Sequence, residues 1–306
     1  MRAFIGITDS DWFTFLRGQP DLDEVNFWQP GGSVQFRALS LGEPFLFKLH
    51  SPRNFVVGGA FFETSSLLPA SLAWETFGVK NGAASFEEMH QRVRRYRRTP
   101  VDRHGDYTIG CIVLKAPFFF DDYGWIRVPD DFSLNIVQGK TYDLGSSPGR
   151  ELWRAVEDRL KGFAQAEVAE LLGSPMFGSP QLVSPRLGQG AFRIAVTDAY
   201  ERSCAMTGEK ALPALDVAHI LPVNAGGHHT LDNGLLLRSD VHRLFDRGYI
   251  TVSPALTIRV SSCLKEDFDN GEPYYSFAGQ VLRLPRRGPA PRPEFLEWHG
   301  DVIYRR

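Results

Sequence analysis

One segment of the chain, residues 215–252, reads LDVAHILPVNAGGHHTLDNGLLLRSDVHRLFDRGYITV. The apolar run at its start predicts a β-strand that breaks at Pro222. A polar loop leads into GLLLR (234–238), which predicts a second strand. DVHRLFDR (240–247) then predicts a short helix that stops at Gly248. The segment is therefore expected to fold as a strand–loop–strand–helix hairpin.

The composition of the whole chain is that of an ordinary globular protein. Its 306 residues exceed the size at which a single hydrophobic core stops growing, about 250 residues, so two domains are expected. The formal net charge of −2 excludes a global basic field, although a local basic patch is sufficient to bind nucleic acid. The start of the chain lacks a signal-peptide pattern, and no run of about 18 apolar residues occurs. We therefore expect a cytoplasmic protein that is neither membrane-bound nor secreted.

Two changes in sequence character divide the chain into three predicted parts. Residues 1–148 are expected to form a β-rich domain, because Gly, Pro, Asn and Ser clusters separate short apolar runs. The runs are RAFIGIT (2–8), PFLFKL (44–49), FVVGGAFF (55–62) and IGCIVL (109–114). Helical spacing followed by a Ser/Pro/Gly-rich stretch predicts a helical linker over residues 149–187. Residues 188–306 form the second domain, and the expected fold class is α+β.

Three motifs of the second domain carry a resemblance to a known family. They are RSCAMTG (202–208), DVAHILP (216–222) and DNGLLLRSDVHRLFDRG (232–248). Together they resemble the HNH, or ββα-metal, endonucleases, in the branch related to modification-dependent, type IV-like restriction enzymes. The resemblance covers about residues 188–300, with a His, an Asn and a second His in order at the expected strand and helix positions. It implies a metal-dependent phosphodiester hydrolase.

The resemblance also implies a role for each of those three residues. His219 would be the general base, because an imidazole can deprotonate water near neutral pH. Asn233 would hydrogen-bond the backbone or the ring near His219 and so fix its orientation. His242 would bind a divalent metal ion, which neutralises charge on the phosphate and on the departing oxygen.

The second metal ligand departs from the family pattern, because Ala218 stands where an acidic ligand is common. Strand side chains alternate, so Asp216 projects from the same face and is the expected replacement, with Asp240 and Asp246 as weaker candidates. One Mg²⁺ or Mn²⁺ per active site suits carboxylate and phosphate oxygens. No structural zinc is expected, since Cys204 is all that remains of the two CxxC pairs that many relatives carry.

Other polar side chains of the second domain are assigned from their position. His228 and His229 lie in a Gly-rich loop and are expected to face solvent, where they could touch DNA. Phosphate contacts are expected from three arginines near the hairpin, Arg238, Arg243 and Arg247. In the first domain, the basic run RVRRYRR (92–98) fits a helix that tracks phosphates and fits a solvated helix face equally well.

The first domain should choose the target, because a bare HNH module cuts with little selectivity. Its motifs VNFWQPGG (25–32), LGEPFLFKLHSP (41–52) and VVGGAFF (56–62) resemble the PUA-like superfamily, which includes the EVE, ASCH, YTH and SRA domains. The resemblance implies a small β-barrel whose mouth accepts a modified base between aromatic side chains. Core packing is the alternative role of each aromatic residue. The candidate base-binding residues are Phe27, Trp28, Gln29, Asn135, Gln138 and Tyr142.

These features together predict a modification-dependent DNA endonuclease. The first domain would bind a modified base, such as a methylated or hydroxymethylated cytosine flipped from the duplex, and the HNH domain would hydrolyse the DNA. The alternatives are a nuclease that cuts RNA and a modified-base reader that does not cleave. A homodimer would supply the two active sites that a double-strand cut needs, although the sequence leaves the oligomeric state open. No membrane partner is expected.

Overall fold

The computed structural model of the chain describes residues 1–97, 106–133, 135–161 and 188–306. The chain divides into two compact units, Met1–Leu182 and Val183–Arg306. Most of the predicted linker lies outside the described residues, as does Arg98 at the end of the basic run. Helices and strands occur in both units, which confirms the α+β class. No described helix has both the length and the apolar character needed to cross a bilayer.

The first unit is built on one mixed sheet. Its seven strands are β1 (Arg2–Thr8), β2 (Glu24–Gln29), β3 (Pro44–Leu49), β4 (Phe55–Pro69), β5 (Thr108–Phe119), β6 (Ile126–Arg127) and β7 (Gly139–Asp143). They pair in the order β2-β5-β4-β3-β1-β7, with β6 against β4. The β1–β3 pair is parallel and the others are antiparallel. Within the described residues β2 and β7 do not pair with each other, so the strand order has two ends.

Four α-helices in the described part of this unit accompany the sheet. They are α1 (Ser10–Arg17), α2 (Ala70–Phe77), α3 (Phe86–Tyr96) and α4 (Gly149–Lys161). Helix α4 occupies the first part of the predicted linker. It buries Leu152, Trp153, Val156 and Leu160 in a hydrophobic cluster with residues of β1, β4 and β7. Residues 149–161 are therefore part of the core of the first unit.

The second unit contains the strand–loop–strand–helix hairpin. The hairpin consists of β8 (Leu215–His219), β9 (Gly234–Arg238) and α6 (Ser239–Asp246), preceded by α5 (Gln189–Ala199). Strands β8 and β9 are antiparallel, and His219 lies opposite Gly234. The other elements are β10 (Ile250–Val252), β11 (Ile258–Val260), α7 (Cys263–Phe268), α8 (Glu272–Tyr275), α9 (Pro293–Trp298) and a π-helical turn, His299–Ile303. One apolar cluster includes residues of α5, β8, β9, α6, β10 and β11 and holds the hairpin in place.

Candidate active site on the hairpin

His219 lies at the last position of β8 and is partly buried. Its imidazole stacks on the ring of Phe192 from α5, with ring centroids 4.4 Å apart and an interplanar angle of 21°. Burial, and secondarily the nearby His229 and His242, lower the pKa of His219 to about 4. The ring is therefore neutral near pH 7, which is the state that a general base requires.

Gly234 allows α5 to approach the hairpin closely enough for this stacking. A Cβ atom at Gly234 would overlap Cγ2 of Val196 and lie 3.0 Å from Cζ of Phe192. Any larger side chain would push α5 away from β9, because both contacts are made by buried residues in a packed core. The sequence pattern predicts the strand that begins at Gly234. It does not predict that this position requires a glycine, because the contact that requires it is made by α5.

Asn233 closes the loop between the two strands through its side chain. Its Oδ1 accepts a hydrogen bond from the backbone N–H of Leu221 at 2.8 Å. Its Nδ2 donates to the backbone oxygens of Leu221 and His228, each at 2.9 Å. The side chain is fully buried, so each of these backbone groups would lose its partner without it. Asn233 thus fixes the backbone immediately after His219 rather than the imidazole ring itself.

His242 projects from α6 between two carboxylates. Its Nε2 is 3.3 Å from Oδ2 of Asp246, one helical turn further along. Its Nδ1 is 3.9 Å from Oδ2 of Asp216, whose Oδ1 is 3.5 Å from the guanidinium of Arg193. Desolvation raises the pKa of Asp246, and His242 opposes that shift. The geometry favours Asp246 over Asp216 as the carboxylate that could share a cation with His242.

His219, His242 and Asp246 line one cleft of about 290 Å³. His299 contributes to the same cleft from the π-helical turn, and its ring stacks on Phe245 of α6 at 3.8 Å. Hydrogen bonds to the Thr251 hydroxyl and to the Phe245 carbonyl oxygen hold this imidazole. His299 therefore supports the cleft wall, a role that the sequence analysis missed because the residue lies far from the motif.

A divalent cation fits the chemistry of this cleft. Two ligands that bind an ion at right angles at about 2.1 Å are about 3 Å apart, close to the separation of His242 Nε2 and Asp246 Oδ2. Among the described residues, no group of three or more His, Cys, Asp or Glu side chains is arranged to hold a metal ion. Mg²⁺ commonly binds one or two protein carboxylates and completes its shell with water and phosphate oxygens, and Asp246 offers one such carboxylate, whereas the His242 imidazole is a ligand more typical of Zn²⁺ or Ni²⁺.

The candidate phosphate-binding arginines lie in two different environments. Arg238 makes two hydrogen bonds to the carboxylate of Asp240, at 2.6 Å and 2.8 Å, and the Tyr274 hydroxyl donates to the same carboxylate. Both Arg238 and Asp240 are therefore engaged within the protein. Arg243 and Arg247 are exposed at α6 and its C-terminal end, so they are accessible to a phosphate.

His229 is not where the sequence analysis expected it. Its Nδ1 lies 2.9 Å from Nε2 of His219, and its ring is 5.4 Å from that of Phe192. His228 is exposed, as expected. The loop folds back over β8, so His229 contacts His219 whereas its neighbour His228 is exposed to solvent. No sequence signal distinguishes them, because the difference arises from the loop conformation.

The candidate base-binding residues do not form one pocket. Trp28 is 8% exposed, and its indole N–H donates to the Asn81 carbonyl oxygen at 3.0 Å. Tyr142 is 4% exposed and belongs to the hydrophobic cluster that contains α4. Phe27 packs against the rings of three aromatic residues, Trp12, Phe45 and Phe47. Strands β2 and β7 lie at opposite ends of the strand order, so the three aromatics do not share one strand pair; Trp28 and Tyr142 are core residues, and Phe27 is partly buried.

The three polar candidates of the first unit are more accessible. Asn135 and Gln138 are exposed, and Gln29 is half-buried at the end of β2. Gln29 lies opposite Gly110 of β5, whereas Asn135 and Gln138 precede β7. The structure therefore does not bring these three residues together with the aromatic candidates.

Residues 204–253 match the family described as HNH endonuclease. This match includes His219, Asn233, His242 and Asp246, and it confirms the family resemblance for the segment that carries the site. The segment is therefore of the nuclease type. No curated protein matches the chain significantly.

Several solved structures align with the chain at low similarity. An ASCH protein from Zymomonas mobilis is 10% identical, with 51% of this chain and 94% of that chain covered and a TM-score of 0.32. The modification-dependent restriction endonuclease TagI is 12% identical, with 92% and 75% covered and a TM-score of 0.29. The phosphorothioation-dependent type IV restriction endonuclease ScoMcrA is 12% identical, with 79% and 52% covered and a TM-score of 0.19. TM-scores this low support no conclusion about this chain.

Proposed function

We propose that the protein is a modification-dependent DNA endonuclease that hydrolyses the phosphodiester bond in the cleft of the second unit. The observation that carries the proposal is the placement of a neutral imidazole, His219, in the same cleft as the His242–Asp246 pair. Hydrolysis needs a base for water and positive charge beside the phosphate, and this cleft offers a group suited to each task.

His219 would act as the general base. Its ring accepts a proton from a water molecule in the cleft, and the resulting hydroxide attacks the phosphorus while the bond to the 3′ oxygen breaks. Phe192 and Asn233 keep the imidazole in place, the first by stacking and the second through the backbone after the strand. Because both are buried, little reorganisation accompanies the proton transfer.

His242 and Asp246 would hold the divalent cation, with Mg²⁺ or Mn²⁺ as the candidates. When bound, such an ion supplies positive charge to the phosphate oxygens and to the departing oxygen. Asp216 would orient His242 from the Nδ1 side and balance the charge of Arg193. Arg243 and Arg247 would contact backbone phosphates, because both are exposed, one on the helix that carries His242 and the other at its C-terminal end.

The first unit would recognise the modified base and so direct cleavage. The proposal for this unit rests on its motifs and on its mixed sheet, in which β1 and β3 are parallel neighbours, not on an identified pocket. Phe27, Trp28 and Tyr142 are not proposed as stacking residues, since Trp28 and Tyr142 are buried and the partly buried Phe27 packs against other aromatic rings of the unit.

Cleavage assays on matched substrates test the proposed function. The protein is incubated with Mg²⁺ or Mn²⁺ and with one DNA duplex prepared unmodified, methylated at cytosine or hydroxymethylated at cytosine, alongside an RNA of the same sequence. We expect metal-dependent cleavage of one modified duplex in preference to the unmodified one, and loss of cleavage with EDTA. Preferential cleavage of RNA would show a ribonuclease, and binding without cleavage under every condition would contradict the endonuclease assignment.

A further inference from the structure

The two histidines His219 and His229 form a hydrogen-bonded pair. Nε2 of His219 and Nδ1 of His229 are 2.9 Å apart, within the range of a direct N–H···N hydrogen bond. The ring of Phe192 stacks on His219 and also contacts His229, with centroids 5.4 Å apart. Both imidazoles are only partly exposed. The pair is therefore packed against Phe192, and its His219 member lines the cleft.

The loop that carries His229 is fixed by backbone contacts, so the pair does not depend on a freely moving side chain. Asn233 donates to the His228 carbonyl oxygen, and so does the backbone N–H of Thr230, both at 2.9 Å. Gly227 donates to the Pro222 carbonyl oxygen at 3.0 Å, and a Cβ atom at Gly227 would overlap the backbone of Leu221. These contacts fix the backbone before and after His229.

One ring nitrogen of His219 remains for catalysis. A neutral imidazole has one N–H and one lone pair. Because Nε2 is used in the pair, only Nδ1 can accept a proton from water, and it can do so only if the ring proton is on Nε2. In that state Nε2–H donates to the lone pair on Nδ1 of His229, whose own proton is then on its Nε2. The hydrogen bond thus accommodates the tautomer of His219 that can act as a base, whereas the reverse arrangement, with Nδ1–H of His229 as the donor, would leave His219 no lone pair for a proton from water.

We propose that His229 is a positioning residue that holds His219 in the Nε2–H tautomer and so presents Nδ1 to the attacking water. When Nδ1 takes the proton of water, His219 becomes an imidazolium whose Nε2–H still donates to His229. The proton removed from water is therefore held on His219, and the hydroxide that it leaves behind forms the new bond to phosphorus as the bond from phosphorus to the 3′ oxygen breaks. This inference rests on the proposed nuclease function for its catalytic consequence, whereas the tautomer itself is independent of it.

Three single variants separate this role from a merely structural one. His229→Asn places a carbonyl oxygen, Oδ1, near the position of the lost Nδ1, so it retains an acceptor for His219. His229→Ala removes the acceptor. His228→Ala is the matched control, because His228 is the exposed neighbour and its backbone contacts survive the substitution.

We expect His229→Ala to lower kcat by about 10- to 100-fold with little change in KM, the usual effect of losing a partner that orients a reacting group. His229→Asn should restore most of kcat, and His228→Ala should resemble the wild type. Equal loss in the Asn and Ala variants, with both folded, would overturn the proposal. So would a change confined to KM.

Nitrogen-15 NMR of the imidazoles gives a readout that needs no cleavage. Long-range proton–nitrogen correlation spectra of the full-length protein, with His219→Ala used for assignment, report which ring nitrogen carries the proton. We expect the Nε2–H tautomer for His219 in the wild type and in His229→Asn, and a mixture of tautomers in His229→Ala. Should the wild type show the Nδ1–H tautomer, the positioning role is wrong even if the protein is a nuclease. If the NMR result is as expected but no substrate is cleaved, it is the nuclease function that fails.

Discussion

At the scale of single residues, His219 combines burial with access to the cleft. Burial of the ring, together with the nearby His229 and His242, lowers its pKa to about 4, so it is unprotonated at neutral pH. A base with so low a pKa is a weak one in water, and the nearby cation site would compensate by making the attacking water more acidic. Substitution of His219 measures the net contribution of this imidazole to the cleavage rate.

Replacement of His219 with Ala should abolish cleavage while the protein remains folded and binds DNA. The change removes the proposed base without altering the backbone clamp made by Asn233. Single-turnover cleavage rates at saturating metal provide the measurement, with His228→Ala as the control. A rate within about tenfold of the wild type, equivalent to about 1.4 kcal/mol of barrier, would exclude His219 as the general base.

Metal binding should depend on Asp246 more than on Asp216. We expect Asp246→Asn to weaken Mn²⁺ binding by about 10-fold or more, because it removes the oxygen nearest Nε2 of His242. Asp216→Asn should have a smaller effect, since its contact is on the Nδ1 side of the ring. Calorimetric titration with Mn²⁺ compares the two variants directly. If Asp216→Asn weakens Mn²⁺ binding more than Asp246→Asn does, Asp216 is the ligand.

At the scale of elements, the π-helical turn after α9 places a second neutral histidine behind α6. Burial lowers the pKa of His299 to about 4, although the hydrogen bond to the Phe245 carbonyl oxygen opposes the shift. The imidazole is therefore a buried polar ring that stacks on Phe245 of α6 and hydrogen-bonds Thr251 of β10. Such a residue stabilises the fold only while it is neutral, so its contribution depends on pH.

The second unit should lose stability in mild acid because of His299. The pKa of His299 is about 4 in the folded chain and 6.5 as its ordinary value. The unfolded state therefore binds more protons between those values, and stability that is present above pH 6.5 is lost as the pH falls. Between about pH 7.5 and about pH 5 this one residue should cost about 2 kcal/mol of unfolding free energy.

Urea unfolding of the wild type and of His299→Gln at both pH values checks this expectation. Gln keeps hydrogen-bonding capacity but does not titrate, so the variant should lose about 2 kcal/mol less over the same pH interval. An identical pH dependence in the two proteins would show that the His299 imidazole is not held neutral by the fold.

At the scale of the whole molecule, α4 packs into the core of the first unit. The four buried side chains of this helix lie in a cluster that also contains Tyr142 of β7 and Phe118 of β5. Each fully buried apolar side chain contributes about 1.5–3 kcal/mol, so the four together are comparable to the net stability of a typical domain. A boundary at residue 148 therefore divides a hydrophobic core.

A fragment of residues 1–161 should fold, whereas a fragment of residues 1–148 should not. The shorter fragment exposes the cluster that α4 covers. Circular dichroism and thermal unfolding of the two fragments test this difference, and the longer one can then be used to measure binding to modified and unmodified DNA. Equal melting temperatures would mean that α4 is only a connecting segment. If residues 1–161 bind both DNAs equally, base recognition lies elsewhere in the chain.

The sequence by itself determined the hairpin and its chemistry. Local signals define it, since the alternation of strands, the polar loop and the short helix all follow from residues that are close in the chain. The order of His219, Asn233 and His242 within that pattern was enough to identify the nuclease segment, which the family match then confirmed. Four strands of the first unit, β1, β3, β4 and β5, were also predicted in whole or in part from their apolar runs, because turn residues separate these runs, whereas β2, β6 and β7 were not predicted.

The tertiary structure alone decided which side chains meet. Phe192 reaches His219 from a helix about 25 residues earlier because Gly234 leaves room for it. His229 rather than His228 contacts His219 because of how the loop folds back. Asp246 rather than Asp216 lies next to Nε2 of His242, because one helical turn brings residues i and i+4 together. Trp28 and Tyr142 are buried because strands far apart in sequence cover them. Periodicity in a sequence reports one face of one element, whereas contacts between elements depend on packing over the whole unit.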